Sequence, residues 1–167
     1  GQKRKETWSE LQPKATLRYA VSDSTSVYGG WSRGFRSGGF NQTGVGAVAS
    51  SNGILGVGDL FDAEVADTSE LGFKGRYLDD RLSLNAAVFN TEAEGSYFFV
   101  FLAANSTQNL GNLTKVRYQG AELDAAWRVT DGLDLFASVA FTDSELREAV
   151  HPSHVRNQAP LASRSSY

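Results

Sequence analysis

From Glu70 to Phe89 apolar and polar residues alternate on both sides of an acidic pair, Asp79-Asp80. Before the pair, Leu71, Phe73, Gly75 and Tyr77 share one parity, and Glu70, Gly72, Lys74 and Arg76 share the other. After it, Leu82, Leu84, Ala86 and Val88 alternate with Arg81, Ser83 and Asn85. Successive strand side chains point to opposite faces, so each arm has one apolar and one polar face. A two-residue turn at Asp79-Asp80 sets Leu78 against Arg81. The pairs Tyr77–Leu82, Gly75–Leu84, Phe73–Ala86 and Leu71–Val88 then follow, all apolar on apolar. The register that the turn dictates is the one the pattern requires.

Two more hairpins share this logic. Leu17, Tyr19 and Val21 precede a polar stretch, Ser22–Ser26, and Val27, Gly29 and Trp31 resume the parity after it. Together they predict a hairpin with a five-residue loop. Pro13 suits the start of a strand or a bulge. Later, Ala121, Leu123, Ala125, Trp127 and Val129 face Leu133, Leu135, Ala137, Val139 and Phe141 across Thr130-Asp131-Gly132. That turn reads as type I with a G1 bulge, which places Trp127 opposite Leu135 and Arg128 opposite Asp134. Between the hairpins, Gly34 to Asp67 is glycine-rich and shows no lasting period, so it reads as a long loop with a job of its own. Tyr97–Leu102 is a continuous apolar run, either a strand buried on both faces or a hydrophobic loop segment. Thr91–Ser96, Asn105–Thr114 and Ser144–Gln158 read as loops, and a further strand is expected after Pro160.

The connections alternate strictly: short at 22–26, long at 36–67, short at 79–80, long at 91–115, short at 130–132, long at 143–158. One end of the sheet therefore carries tight turns and the other large loops, the layout of an outer-membrane β-barrel. Strand lengths fit the ~9–11 residues of a tilted transmembrane strand. Tyr77, Trp127 and Phe141 suit interfacial girdles, whereas Phe89 and Phe136 fall on the polar parity. Glu70, Lys74, Arg76, Glu122, Asp124 and Arg128 are assigned to the lumen, because a charge facing lipid costs up to about 2–4 kcal/mol at the midplane. Two alternatives stay open on the pattern alone. One is a secreted β-sandwich or adhesin-like binding domain, which also buries one face per strand; the other is a passive porin.

Composition narrows the classes. The 167 residues fit one domain, and no cysteine is present, which excludes disulfides and thiolate metal sites. A net charge of −3 gives no electrostatic footprint for nucleic acid. Methionine is absent even at position 1 and no signal peptide is visible at the start, which reads as a piece of a longer protein. No nucleophile–base constellation stands out, so neither an enzyme nor a cofactor is expected. His151 and His154 are too few to hold a metal and read as solvated loop residues. Asp59, Asp62, Glu64 and Asp67 lack the EF-hand order and read as solvated acids. Arg33, Arg36, Phe40 and Asn41 stand where a strand emerges into the longest loop. They suit an anionic ligand bearing aromatic rings, although ordinary loop structure is the favoured reading of them.

A set of short segments resembles the TonB-dependent outer-membrane receptors, in the middle and later strands of their barrel. It comprises Tyr28, Ser32–Asn41 (SRGFRSGGFN), Phe61–Glu64 (FDAE), Glu70–Gly75 (ELGFKG), Leu84–Phe89 (LNAAVF), Asn109–Asn112 (NLGN) and Gln119–Leu123 (QGAEL). Ser69 stands where the family often has tyrosine. The resemblance implies an all-β fold, an antiparallel meander of transmembrane hairpins forming part of a 22-stranded barrel around a globular plug. Residues 1–167 would be a partial barrel domain without plug, first strands or last strands. It further implies a bacterial outer-membrane location among lipid, and import of an iron–siderophore or similar chelate. Energy would come from TonB, met through the missing N-terminal region. Strands that cannot close a barrel leave unpaired edges, so the piece alone is not expected to be a soluble monomer.

Overall fold

The computed structural model describes residues 4–148 and 165–166. In chain order its elements are β1 (Lys14–Ser22), β2 (Thr25–Arg36), β3 (Gly39–Phe40), α1 (Val45–Ser51), β4 (Leu60–Phe61), β5 (Glu64–Tyr77), β6 (Leu82–Glu94), β7 (Tyr97–Leu102), β8 (Thr107–Asn112), β9 (Lys115–Thr130), β10 (Leu133–Glu148) and β11 (Ser165–Ser166). Seven of them form one sheet in the order β1-β2-β5-β6-β9-β10-β11, and β3–β4 and β7–β8 form two small sheets. All the pairings are antiparallel. The strand expected after Pro160 is represented by Ser165 and Ser166 against Phe141 and Ala140.

The central hairpin has the register its sequence demands: Tyr77↔Leu82, Gly75↔Leu84, Phe73↔Ala86 and Leu71↔Val88. The connection is longer than the expected two residues: Leu78, Asp79 and Asp80 all take left-handed φ of 55°, 53° and 64°, Arg81 N–H donates to Leu78 O at 3.1 Å, and the ladder closes at Tyr77↔Leu82 rather than with a Leu78–Arg81 pair. The third hairpin pairs Leu135 with Trp127 and Asp134 with Arg128. Its turn differs from expectation. Gly132 is not left-handed, and the register step from Leu133↔Thr130 to Asp134↔Arg128 puts the bulge at Val129. The first hairpin is also tighter than its polar stretch suggested: Ser22 pairs with Thr25, so only Asp23-Ser24 turn, and Val21 is bulged.

Across the sheet, cross-strand partners share a face. One face carries Leu17, Tyr19, Val27, Leu71, Phe73, Leu84, Ala86, Val88, Leu123, Trp127, Leu135, Val139 and Phe141. These residues are uncovered, with Leu71 61%, Leu123 50% and Phe141 53% exposed. So large a contiguous apolar surface belongs against another apolar phase, and among the described residues no second sheet lies over it. A sandwich is therefore not favoured. The opposite face carries Glu70, Lys74 and Arg76 in line with Ser83 and Asn85, and Glu122, Asp124 and Arg128 beyond them. Surface cavities lined by Arg18, Lys74, Arg76 and Asn85, and by Asp124 and Ser138, open on this polar face.

The strands run further than the apolar pattern indicated. Past the row Gly29–Leu71–Val88–Ala121–Phe141, the outward parity becomes mostly polar: Ser69, Asn90, Gln119 and Asp143 beside Trp31, then Arg33, Asp67, Glu92, Arg117 and Glu145. Ion pairs tie this upper row together, including Arg33–Asp67 at 2.7 Å, Arg117–Glu145 at 2.8 Å and Lys115–Glu92 at 3.0 Å. The apolar stretch from Ala121 to Val129 matches the ~9–11 residues of a tilted crossing, so the ion-paired row stands beyond the lipid band.

Aromatic residues that fit no girdle have a local explanation. Phe89 lies over Gly120, where an added Cβ would meet its ring at 2.7 Å. Tyr28 covers Gly72 in the same way, its ring filling the space an added Cβ would occupy. Each glycine leaves a slot on the polar face that a ring from the next strand fills, which keeps the backbone shielded. Phe136 has no such slot and stays exposed on that face.

Adjacent residues of β6 should respond oppositely to charge. Ala86→Arg in the full-length protein places a guanidinium against hydrocarbon at a cost of about 2–4 kcal/mol, and should lower heat-resistant folded protein in membranes. Asn85→Arg, on the polar face, should leave that level near wild type. Quantitative comparison of folded and unfolded bands from isolated membranes reads both.

Candidate functional site

The two long loops are folded, and folded onto each other. Where the sequence showed no period between residues 34 and 67, β2 continues to Arg36, β5 begins at Glu64, and α1 and the β3–β4 pair lie between. Tyr97–Leu102 is a strand of a loop hairpin, buried on one face only, and Asn105–Thr114 contains its partner β8. Val45 and Ala49 of α1 close a small core with Val57 and Leu102, joined by Val48, Ile54 and Val100. Burial of these side chains gives the loops a reason to fold that no local propensity supplies.

Two asparagines fasten the loops. Asn41 Nδ2 donates to the carbonyls of Gly58 at 2.8 Å and Leu110 at 2.7 Å, and its Oδ1 accepts from Leu110 N–H at 2.9 Å. Asn112 answers from the other side: Nδ2 donates to Gly95 O at 2.7 Å and Asp62 O at 3.2 Å, and Oδ1 accepts from Asp62 N–H at 2.9 Å. Each amide uses its donor and acceptor ends as a strand backbone would. Gly111 sits between them because a Cβ there would meet Gly56 O at 2.9 Å. The Asn-Leu-Gly-Asn segment is thus a clasp.

α1 starts at Gly44, in a left-handed conformation, without a cap from its own N-terminal residues. Asp59 supplies one from across the loop, accepting from Gly44 N–H at 2.7 Å and Gly46 N–H at 2.9 Å. These two backbone donors, aided by the charge of Arg4, hold its carboxyl below the usual range against an opposing desolvation. Of the other acids singled out in the sequence, Asp67 pairs with Arg33 and Glu64 with Arg36, and Asp62 joins the fold through its backbone N–H and carbonyl, both bonded to Asn112. No cluster of metal-ligating side chains forms among the described residues.

The four loop-mouth residues singled out in the sequence divide. Arg33 lies on the outward parity with Trp31, paired to Asp67 and to Glu10. Arg36 lies on the polar face, bonded to Glu64 at 2.8 Å, with its guanidinium 3.8 Å from the centre of the Tyr97 ring. Tyr97 in turn packs on Phe61, with centroids 5.0 Å apart. Phe40 is held by Trp8 and Arg4, and Asn41 is the clasp residue. Arg36 is therefore the one of the four that joins an aromatic group at the polar-face mouth. Sequence reasoning missed its partners Phe61 and Tyr97, which loop folding brings from 25 and 61 positions away. Close by on the polar face, Ala93, Val116 and Leu146 are buried, with Leu113 and Tyr118 packed on the latter two. His151 and His154 lie outside the described residues.

The beta-barrel family model of TonB dependent receptor-like proteins matches residues 2–167. The probable TonB-dependent siderophore receptor PiuA of Acinetobacter baumannii is 26% identical over 133 residues, covering 80% of this chain and 17% of its own length. Among solved structures, the ferric yersiniabactin uptake receptor FyuA of Yersinia pestis superposes with a TM-score of 0.66 at 23% identity, over 91% of this chain and 21% of the receptor. The ferric-catecholate import receptor Fiu of E. coli K12 gives 0.63 at 21% identity, over 91% and 20%. At such identities the two structures speak for the fold. The chain spans about a fifth of the length of these relatives.

Asp59 gives the loops an acid limit. Its folded pKa is depressed, so its contribution is complete above the unfolded value of about 3.9 and is lost as pH falls through the lower folded value. Hydrogen-exchange protection factors for Gly44 and Gly46 should hold steady from neutral pH to about 4 and fall below it. In Asp59→Asn, which has no proton to gain, that acid-dependent step should disappear.

Proposed function

Because the chain belongs to the TonB dependent receptor-like β-barrel family, we propose that it is a partial barrel domain of a receptor that takes up a metal chelate, an iron–siderophore complex foremost. The family's barrels lie in the bacterial outer membrane, and its members are transport receptors. The apolar face is then the lipid-facing wall. Glu70, Lys74, Arg76, Glu122, Asp124 and Arg128 line the water-filled interior, where each charge meets solvent and polar neighbours rather than hydrocarbon. The iron is cargo, carried in by its chelator. TonB acts through a part of the protein that precedes this chain.

The observation that carries this reading is the loop body itself. Two long connections share one core and two asparagine clasps, and meet the polar-face mouth at Arg36, Tyr97 and Phe61. Such preorganisation suits a receptor, because capture is tighter when side chains are held in place before the ligand arrives. Arg36 offers charge for an anionic chelate and the adjoining rings offer stacking surface. Arg33, Phe40 and Asn41 serve indirectly by holding the strand end and the loop in position.

Deletion of Gly44–Gly58 from the full-length protein removes α1 and most of the shared core while leaving every long strand intact. Chelate binding and uptake should fall at least about tenfold at normal surface levels, consistent with loss of a preformed site. Unchanged affinity at normal surface levels would take this loop out of the binding site.

A further inference from the structure

The tight-turn end of the polar face carries charge that the chain itself does not balance. A cavity of about 480 Å³ opens there across β1, β2, β5 and β6, within the usual size of small-molecule sites. Its lining includes three cations, Arg18, Lys74 and Arg76. Strand pairing sets them in successive rows: Arg18 beside Tyr28, then Ser26–Lys74–Asn85, then Arg76 beside Ser83. Arg76 reaches Asp80 only at 3.5 Å, and Lys74 meets the Tyr28 ring at 5.5 Å from its centre. Among the described residues no carboxylate bonds Arg18 or Lys74, and Asp23 is the single acid of the cavity lining. Like charges gathered without counter-charge repel one another, and an anion between them relieves that repulsion. Ser26 is an independent sign. It lines the cavity at 3% exposure, and its hydroxyl makes no hydrogen bond among the described residues. A buried hydroxyl left without a partner in its own chain is a donor available to something outside it.

We propose that this cavity is an oxyanion site for a compact polyanion of the phosphate or polycarboxylate class. Arg18 and Arg76 hold oxygens from the rows above and below, Lys74 supplies a point charge between them, and the Ser26 hydroxyl donates from within the wall. Ser26 stands ten residues down β2 from Arg36, about 33 Å by strand repeat, so the site is separate from the loop mouth. It goes beyond the receptor reading: it stands on the chemistry of the cavity, and a protein that captured no chelate at its mouth would still carry it.

Calorimetric titration of the full-length protein in detergent, at constant ionic strength, tests it with inorganic pyrophosphate as probe and tricarballylate as competitor. Wild type should bind pyrophosphate at one site, and tricarballylate should displace it. Arg18→Gln/Lys74→Gln should weaken binding at least about tenfold, and Ser26→Ala about threefold or more, at an unchanged melting profile. Lys74→Arg should keep most of the affinity. Arg128→Gln, which removes a cation of the same face outside the cavity, should leave it unchanged. Wild type that binds no pyrophosphate overturns the site; a lowered melting temperature of the double variant without probe would then show that an acidic segment of the full-length protein already fills the cavity. Undiminished binding by the double variant puts the probe elsewhere and overturns it as well. So does an equal loss in Arg128→Gln, which marks diffuse attraction to the charge of the whole face.

Discussion

A backbone that crosses hydrocarbon finds no water for its N–H and C=O groups, so every one must pair sideways with a neighbouring strand. That requirement sets the rest of the molecule. Antiparallel pairing fixes a two-residue period, the period assigns each side chain to a face, and the medium beyond each face selects its chemistry. In the long strands, Leu71, Val88, Leu123 and Phe141 share the apolar face while Lys74, Asn85 and Asp124 share the opposite, polar one. Above the band the pairing continues but the outer medium changes. The same outward parity then carries Arg33, Asp67, Arg117 and Glu145, joined in ion pairs. Such pairs at a wet surface contribute modestly to stability; their position marks where lipid ends.

The loops obey a different rule. No membrane disciplines them, so their order comes from long-range contacts: the Val45–Ala49–Val57–Leu102 core, the Asn41 and Asn112 amides, and the Asp59 cap on α1. Each clasp replaces backbone pairing with a side-chain amide and joins segments that are 69 residues apart for Asn41–Leu110 and 50 apart for Asn112–Asp62. The two loops consequently behave as one body set on the mouth, with Arg36 and Tyr97 at the junction between that body and the sheet.

What was legible in the sequence follows from this division. The registers of the central and third hairpins could be read because parity and lipid act together at Leu84 or Trp127. The extended strand ends were opaque because Arg33, Glu92 and Lys115 break the apolar alternation at the height where strand pairing persists. Arg33 and Arg36 were grouped for the same reason: the glycines after Trp31 look like a loop, yet the chain stays extended and sends the two arginines to opposite faces. The apolar run Tyr97–Leu102 showed β7 as one of two readings, a strand or a loop segment, whereas α1 and the partner strand β8 were not legible because tertiary packing, rather than local pattern, stabilises them. Phe89 looked anomalous until Gly120 supplied the slot it fills, and nothing in the fold accounts for Phe136.

The central claim is that one face of this sheet meets lipid and the other an aqueous interior. Single cysteines introduced from Leu82 to Phe89 of the full-length protein in bilayers, each carrying a nitroxide, test it directly. Collision with oxygen, which concentrates in hydrocarbon, should peak at 82, 84, 86 and 88. Collision with a water-soluble nickel chelate should peak at 83, 85, 87 and 89. Alternation of the opposite phase, or equal access to the nickel reagent at every position, would contradict the account.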